Sequence, residues 1–459
     1  MIQDKQSLLP SEVDASDLKI KVYKKRWIIL LIFSINSMAN ALLFTSITSI
    51  NKIVCKYYGI SPELTDWAGN SFTLVYLLIA LPSAYCMSSF GVRTLVLIGS
   101  SLNAICVCLH LAGTFRDGGI WFVMAGQFVA GFSVGAVLQV PPRLSTVWFP
   151  EKEHAKATSI AMCLNTLGLS VGFLQPSYMV PDSDDMDKVY NGMLRMNITH
   201  VAFLAVCLIS AYLFFDEKPP LPPSYAKAII DSGIEQSEHL NAPGFKESLI
   251  LLFKNKNFMI LTVAFGIQFG LFNFFVTCLN ELSTDITSES NIGWIGFFGN
   301  IMAMISILLF STIIDKYKSY TKVSIFLKFT TVLAWTAYSA IVVYFKTTQL
   351  LYVTYLALCF FGVPFFVIGL EHTAEITYPI PEGLSSCIVL MAGNLVGLLT
   401  VLFFGKLVDQ GMTRLMCCIV LGMYVIAFIL ICFVKPELKR SEMESNRQDR
   451  DIINGNVIG

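Results

Sequence analysis

Apolar stretches of about 20 residues recur along this chain, separated by short polar turns and by one long polar break. A helix of about 20 apolar residues, rising 1.5 Å per residue, crosses a hydrocarbon layer about 30 Å thick. The twelve stretches lie approximately at 27–50, 67–89, 94–114, 119–141, 156–180, 199–215, 257–280, 292–314, 323–345, 350–372, 384–408 and 413–434. Because lipid cannot hydrogen-bond to a backbone, each stretch predicts a membrane-spanning helix. The pattern predicts an all-α membrane protein with twelve transmembrane helices.

The long polar break divides these spans into two sets of six. The predicted order is an N-terminal tail at 1–26, a six-helix bundle at 27–215, a central loop at 216–256, a second bundle at 257–434 and a C-terminal tail at 435–459. Placing the tails and the even-numbered connections, the central loop among them, on one side gives that side roughly 23 lysines and arginines, against about 8 on the other, and such an excess marks the cytoplasmic face. We therefore expect both termini and the central loop in the cytoplasm. Within the loop, the spacing of apolar residues over 245–256 predicts a short helix lying along the membrane surface.

The composition supports this class and excludes several others. Of the 459 residues, 55 % are apolar and 14 % are charged, whereas soluble proteins have about 25 % charged residues. The net charge is zero, which gives no reason to expect a nucleic-acid partner. The 12 cysteines lie mostly inside spans and form no CxxC pair, so we expect no metal site and no cofactor. The absence of HExxH, GxSxG and Walker-type motifs argues against an enzyme and against ATP as the driving force.

The clearest group of ionisable residues closes the tenth span. Glu371 and Glu375 lie four residues apart on one helix face, with His372 between them. Since a charge within a span is costly, such carboxylates usually face a cavity or a partner. In one interpretation Glu371 contacts a cation, or carries a proton together with His372. In the other, both glutamates lie at the cytoplasmic rim and pair with groups such as Arg143, which follows two prolines at the end of the fourth span, to lock a gate.

A second set of candidates consists of polar and aromatic residues near the middle of spans. Amides there often only join neighbouring helices, but these come from spans that line the central cavity in a six-plus-six arrangement, so they are also candidate substrate ligands. Aromatic rings attract quaternary ammonium groups over their faces. The candidate substrate-binding residues are Phe44, Trp67, Asn165, Thr166, Gln268, Asn273 and Asn394.

The turn after the second span resembles the signature of the major facilitator superfamily, in which an acidic residue and Gly-Arg lock two helices together. Here it reads Ser88-Ser89-Phe90-Gly91-Val92-Arg93, with serine in the acidic position. The corresponding turn of the second half, Asp315-Lys316-Tyr317-Lys318, keeps the acid. The resemblance implies two bundles that rock about a site at the midplane of the membrane.

More specific blocks resemble the feline leukaemia virus subgroup C receptor-related transporters. They are Tyr23-Lys24-Lys25-Arg26-Trp27, Tyr58-Gly59-Ile60-Ser61 with Asp66-Trp67, Phe90-Gly91-Val92-Arg93-Thr94, Pro142-Arg143 with Val147-Trp148-Phe149, Gly172-Phe173-Leu174, and Glu375-Ile376-Thr377-Tyr378-Pro379 with Glu382-Gly383. Because these blocks occur in order and at the right spacing, the resemblance implies a transporter of small organic solutes. Choline and ethanolamine are the substrates best associated with that family, and haem is an earlier assignment.

Departures from that family concern the residues expected around the substrate. The choline carriers resemble one another in having tryptophan, glutamine, tyrosine and glutamine on helices 1, 5, 7 and 11. The corresponding positions here look like Phe44, Thr166, Asn273 and Asn394, which thins the cage around a cation. The proline-rich segments of this chain resemble a lysosomal branch called disrupted in renal carcinoma, which is linked to proton-driven pyridoxine export. These segments are Pro219-Pro220-Leu221-Pro222-Pro223 and Tyr378-Pro379-Ile380-Pro381.

The N-terminal tail and one loop carry candidate addresses and modifications. Asp4, Leu8 and Leu9 fit an acidic dileucine pattern, which sorting adaptors use to direct proteins to endosomes and lysosomes. Asn197-Ile198-Thr199 is a glycosylation sequon close to the sixth span.

Three functions stay open at this point. The chain is a carrier of a small amine such as choline or ethanolamine, or of haem; a proton-driven lysosomal exporter of the pyridoxine type; or a receptor-like relative that no longer transports. The expected partners are a small-molecule substrate, the lipid bilayer and a sorting adaptor, and the expected assembly is a monomer. The expected location is the plasma membrane or the lysosomal and endosomal membrane.

Overall fold

The part of the chain that the structure describes contains twelve apolar helices of membrane-spanning length, as the sequence predicts. The computed structural model describes residues 20–150, 153–223, 245–317, 319–378, 380, 382–437 and 439. Spans 1 to 6 are built from helices Lys25–Ser46, Pro62–Ala112 (spans 2 and 3), Gly119–Gly131 with Val134–Trp148, His154–Met179 and Met186–Phe214. Spans 7 to 12 are built from helices Lys256–Ser283, Glu289–Tyr317, Tyr320–Ala340, Thr348–Gly362 with Pro364–Thr377, Glu382–Asp409 and Thr413–Cys432. The spans form two six-helix bundles, which confirms the predicted fold class.

Several spans are interrupted where the predicted stretch is continuous. Span 1 is α-helical only to Ser46 and continues as the 3₁₀-helix Thr48–Ile50 and the short helix Asn51–Tyr58. Span 10 consists of two helical segments that meet at Val363, because Pro364 has no backbone N–H to donate. Span 9 ends in the π-helix Ile341–Phe345. Hydropathy alone does not show these breaks, since the residues around them are as apolar as the rest.

Ion pairs and hydrogen bonds join the chain segments at the end of the bundle where span 1 begins and span 12 ends. We call this end the tail side and the opposite end the loop side. Lys25 at the start of span 1 pairs with Asp216 at the end of span 6. The next residue, Arg26, pairs with Glu153, which precedes span 5, at 2.9 Å. These contacts bring the start of span 1 against the ends of its own bundle.

The signature turn between spans 2 and 3 is closed by a carboxylate from a different part of the chain. Gly91 adopts φ +86°, a left-handed conformation that interrupts the helix Pro62–Ala112. Glu217, just after span 6, accepts hydrogen bonds from the backbone N–H of Val92 at 2.9 Å and of Arg93 at 2.6 Å. A negative charge at these unpaired donors stabilises the start of span 3. A carboxylate from the end of span 6 thus bonds the turn in which the sequence has serine at position 88.

The helix predicted in the central loop is present as Phe245–Lys254. Leu252 is fully buried in an apolar cluster with residues of span 7, whereas Leu251 and Phe253 are exposed. One face therefore packs on the second bundle and the other offers apolar side chains outward. Its position along the membrane surface stays a prediction, and residues 224–244 of the loop lie outside the described residues.

The sequon at Asn197 is folded into the first bundle. The Asn197 side chain is 3 % exposed and donates to the backbone oxygen of His110 and to the hydroxyl of Thr114, both at 3.1 Å. A glycan on this nitrogen would remove both bonds and has no room at a buried helix contact. The folded structure is therefore incompatible with glycosylation at this position.

The role of Glu217 gives a first prediction. We expect Glu217→Ala to lower the stability by about 1 kcal/mol, the usual effect of losing a cap, measured as a lower melting temperature in detergent. The control is Asp216→Ala, which removes a half-exposed ion pair with Lys25 that contributes little. Equal melting temperatures for the two variants would show that Glu217 does not hold the turn.

Candidate functional site

The two bundles are joined at the loop side by a short polar junction. The side chain of Asn51, in the last helical segment of span 1, donates to a carboxylate oxygen of Glu281 near the end of span 7 at 2.6 Å. The neighbouring Asn280 donates to the backbone oxygen of Ser49 at 3.0 Å and also bonds the carboxylate of Glu289, at the start of span 8. We call Ser49, Asn51, Asn280, Glu281 and Glu289 the loop-side junction. It ties the first and second halves together through the ends of spans 1 and 7.

A cavity of about 610 Å³ lies beside this junction. Its walls come from the ends of spans 1, 7, 9, 11 and 12, and charged residues of both signs take part. The charged lining residues are Lys52, Glu281, Asp285, Lys346 and Arg414. Cys55 also lines the cavity. The charges make it a polar vestibule at the loop side.

Close contact between spans 5 and 8 forms a second joint between the halves. Gly296 of span 8 lies against the ring of Phe173 of span 5, where an added β-carbon would come within 2.5 Å of the ring. Phe173 is fully buried within the apolar cluster of the second bundle. A glycine is required here because the ring occupies the place of its side chain.

Aromatic residues extend across the middle of the molecule. Phe44 of span 1 packs edge-on against Phe72 of span 2 at 5.3 Å, and it packs against the apolar clusters of both bundles. On the other side, Phe366 of span 10 lies 5.2 Å from Phe269 and 5.1 Å from Phe272 of span 7. We call Phe269, Phe272 and Phe366 the phenylalanine cluster. Its three rings are only partly buried, and Phe269 is also stacked on Phe265 at 5.8 Å.

The predicted amide candidates are mostly bonded to neighbouring backbone. Asn165 donates to the backbone and hydroxyl oxygens of Ser37 at 3.1 and 3.0 Å, which joins spans 5 and 1. Asn394 and Thr166 bond backbone oxygens of their own helices. Gln268 donates to the backbone oxygen of Gly362 and accepts from Lys328. These bonds satisfy amides within lipid-embedded helices, and a role in substrate binding stays a prediction.

Two further predicted ligands lie beside helix contacts. Asn273 is 9 % exposed and packs against Gly397 of span 11, where an added β-carbon would come 2.9 Å from its side-chain nitrogen. Trp67 is half-buried at the loop-side start of span 2. Asn273 thus lies two turns from Asn280 on the same helix, between the junction and the phenylalanine cluster.

The ionisable group of span 10 is divided between different environments. Glu371 is half-buried, whereas His372 and Glu375 are fully buried. The ring of His372 stacks on Tyr320 of span 9 at 5.7 Å. Arg143 is exposed at the tail-side end of span 4. The side chain of Asp315 and the residues Asp4, Leu8 and Leu9 lie outside what the structure describes.

Sequence reasoning missed one ionisable residue that the structure makes prominent. Lys328 lies in the middle of span 9 and is 1 % exposed. The signal was present, because a lysine inside an otherwise apolar stretch is uncommon and usually has a function. The phenylalanine cluster was missed for the opposite reason: phenylalanines are so abundant, at 35 in the chain, that no single one stands out.

Comparisons with known proteins agree with this architecture. The family model described as Major Facilitator Superfamily matches residues 29–370. The choline/ethanolamine transporter FLVCR2 of Homo sapiens is 29 % identical over 435 residues, covering 92 % of this chain and 80 % of the relative. The choline/ethanolamine transporter FLVCR1 of Mus musculus is 28 % identical, covering 93 % of this chain and 78 % of the relative. A crystal structure of a D-xylose-proton symporter superposes with a TM-score of 0.70 at 14 % identity, covering 90 % of this chain and 98 % of that one.

The family match and the fold together define the class of protein. The chain belongs to the Major Facilitator Superfamily and is a multi-pass membrane transporter of a small solute. Its predicted resemblance to the feline leukaemia virus subgroup C receptor-related transporters is confirmed by relatives of that name over most of its length. The symporter, at 14 % identity, supports the fold alone.

The loop-side junction gives a second prediction. We expect Asn280→Ala to weaken the junction, because it removes the bonds to Ser49 and Glu289. Cys55 in the vestibule should then react about fivefold faster with a membrane-impermeant maleimide, measured by peptide mass mapping, as a coupling of about 1 kcal/mol allows. The matched control is Asn291→Ala, which removes a bond to Thr287 within one bundle. Unchanged Cys55 labelling would show that the junction does not hold the halves together.

Proposed function

We propose that this transporter carries a small organic amine of the choline or ethanolamine type by alternating access. The observation that supports this best is the phenylalanine cluster on spans 7 and 10, since Phe272 and Phe366 pack on the same apolar cluster as Phe44 of the first bundle. Ring faces attract ammonium groups, most strongly where water is excluded. The relatives FLVCR1 and FLVCR2 are choline/ethanolamine transporters by name, which supports the same class of substrate.

The cluster compensates for the thinned cage at the four family positions. Phe44 stands where the resemblance implies a tryptophan, and Asn273 where it implies a tyrosine. Phe269 and Phe272 precede Asn273 on the same helix by four residues and one residue, and Phe366 reaches them from span 10. Several phenylalanine rings, each attracting a cation less strongly, then take the place of the tryptophan and the tyrosine. These rings suit an amine cation but offer the substrate fewer hydrogen bonds.

Glu371 is the carboxylate we assign to the ammonium group of the substrate. It is half-buried on the same helical segment, Pro364–Thr377, as Phe366. Five residues separate them, which is about 7.5 Å along the helix axis toward the tail side. Glu371 therefore lies nearer the tail side than Phe366, about 140° away from it around the helix. His372 and Glu375, being fully buried, are assigned to the interior of the bundle, and Arg143 and Asp315 to the tail-side gate.

Orientation and location follow from the charges and from the tail. We propose that the tail side is cytoplasmic, since the excess of lysine and arginine lies there. Asp4, Leu8 and Leu9 would then be accessible to a sorting adaptor, which favours an endosomal or lysosomal membrane over the plasma membrane. The chain works as a monomer, because each half supplies part of one shared interface. No step of this cycle needs catalysis or a cofactor.

The alternatives differ in substrate or in activity. Proton-driven export of pyridoxine fits the dileucine pattern and the buried ionisable residues of spans 9 and 10. Haem is disfavoured by the crowded middle of the molecule, where Phe44, Phe72 and Phe173 already pack closely. A receptor-like relative without transport would keep the fold but need no half-buried Glu371.

The proposed substrate is tested by a panel of radiolabelled solutes. Purified protein in liposomes should take up choline or ethanolamine faster than pyridoxine or haem at two pH values. Only the two amines are both small and positively charged at each pH, choline by a fixed charge and ethanolamine by a constant one. Empty liposomes are the background. Pyridoxine uptake alone would support the lysosomal alternative, and no uptake of any of the four solutes would support the receptor-like one.

The role of the cluster is tested by Phe366→Leu, which keeps an apolar side chain but removes the ring. We expect the affinity for choline to fall roughly three- to thirtyfold, as expected for the loss of one cation–π contact of about 0.5–2 kcal/mol. The measurement is the concentration of choline that half-saturates uptake. The control is Phe329→Leu, an exposed ring on the outer face of span 9. Equal affinities in both variants would remove the cluster from the site.

A further inference from the structure

Lys328 is an ionisable residue held inside the second bundle, where it is 1 % exposed. Its ammonium nitrogen donates to the backbone oxygen of Ala264 at 3.2 Å and to the side-chain oxygen of Gln268 at 2.9 Å, both on span 7. It also lies 3.8 Å from the centre of the Phe365 ring on span 10. One lysine on span 9 thus contacts spans 7 and 10 at the same time.

The surroundings of Lys328 are those of a cation without a counter-ion. Two oxygens and a ring face accept an ammonium group, and no carboxylate lies within ion-pair distance among the residues that the structure describes. A lysine at the middle of a span costs about 2.5–3.5 kcal/mol on insertion scales. Methionine would fill a similar volume at no such cost, so packing alone gives no reason for a lysine here.

Buried polar atoms without a hydrogen-bond partner lie between Lys328 and the tail side. Tyr320, Ser324 and Lys328 follow one another at intervals of four residues and therefore share one face of span 9. The hydroxyl of Ser324 and both ring nitrogens of His372 are buried and unpartnered. His372 stacks on Tyr320 and so reaches this face from span 10. Buried polar atoms of this kind are usually satisfied by bound water.

The ionisable groups around this face come from spans 9, 10 and 12. Span 10 contributes His372 and Glu375, both fully buried, and the more exposed Glu371. Span 9 itself adds Tyr320. Toward the loop side, Cys417 and Tyr424 of span 12 lie near Trp335 of span 9. Span 7 presents only uncharged groups to Lys328, Ala264 and Gln268.

We propose that Lys328 is a proton-binding site that couples solute transport to proton movement, reached from the tail side through Ser324, His372 and Glu375. In the proton-transfer step an N–H bond of the ammonium breaks and its electron pair stays on the Lys328 nitrogen, while the proton passes to a ring nitrogen of His372 through a water that the buried Ser324 hydroxyl would hold. His372 then gives up a proton to Glu375, from which it leaves to the tail-side solution. No redox partner is needed.

The coupling depends on span 7. Gln268, which binds Lys328, precedes Phe269 of the phenylalanine cluster by one residue. A shift of span 7 when solute enters or leaves the cluster therefore moves an oxygen that stabilises the ammonium group. Because Lys328 contacts Ala264, Gln268 and Phe365 and none of the three cluster rings, its loss should uncouple transport without blocking it. This inference rests on the proposed transport function.

The test separates solute movement from proton movement in the same liposomes. Exchange of labelled for unlabelled choline needs no net proton flux, whereas a choline gradient should change the internal pH, reported by trapped pyranine. We expect Lys328→Met to keep exchange within about threefold but to reduce the solute-driven pH change about tenfold, a loss equivalent to 1.4 kcal/mol. Lys328→Arg should behave similarly, because arginine does not release its proton. Lys322→Met, an exposed lysine on the same helix, is the control.

A pH change in Lys328→Met equal to that of the wild type would overturn the inference, as would wild-type exchange with no pH change. Absence of exchange in the wild type would instead count against the amine substrate. In that case a second measurement needs no solute: the melting temperature of Lys328→Met relative to wild type, between about pH 5 and about pH 9, should vary with pH if folding is linked to a proton on Lys328. A constant difference across that range would exclude the proton site.

Discussion

Lipid offers no hydrogen bonds to a helix, and this constraint decides where the polar side chains of the spans are placed. Asn165 bonds Ser37 across spans 5 and 1, and Gln268 bonds Gly362 across spans 7 and 10. The same logic applies to Glu217, which bonds the backbone of the turn at Gly91 from the end of span 6. Most polar residues inside the two bundles therefore join neighbouring helices. Only polar residues that do not have this role can bind a substrate.

Polar contacts are more numerous within each bundle than between the two bundles. Within each bundle they are numerous, whereas those between the bundles include the loop-side junction and a Gln139–Cys387 contact at 3.9 Å nearer the tail side, beside apolar contacts such as Phe173 against Gly296. A small number of polar bonds between the halves is suited to breaking and re-forming as they rock. The short helix Asn51–Tyr58 belongs to the loop side, since it carries one partner of the junction.

The second bundle combines two kinds of chemistry on adjacent turns of one helix. Phe269 and Phe272 belong to a cluster of rings that suits an amine, while Gln268 binds the buried Lys328. Span 10 repeats the pairing, with Phe366 in the cluster and Phe365 under the lysine. A movement that changes one environment must change the other, because a helix moves as a rigid unit over a single turn.

The sequence by itself determined the twelve spans, their division into six and six, and the family, because length and hydropathy of a span are local properties and the motif blocks stand in order along the chain. It could not show that Asn197 is buried against His110, or that Gln268 is bonded to Lys328, since these contacts join residues 87 and 60 positions apart. Nor could it select Phe366 from 35 phenylalanines. A hydrophobic pattern records which residues avoid water; which of them meet each other depends on how the helices pack, and only the tertiary structure decides that.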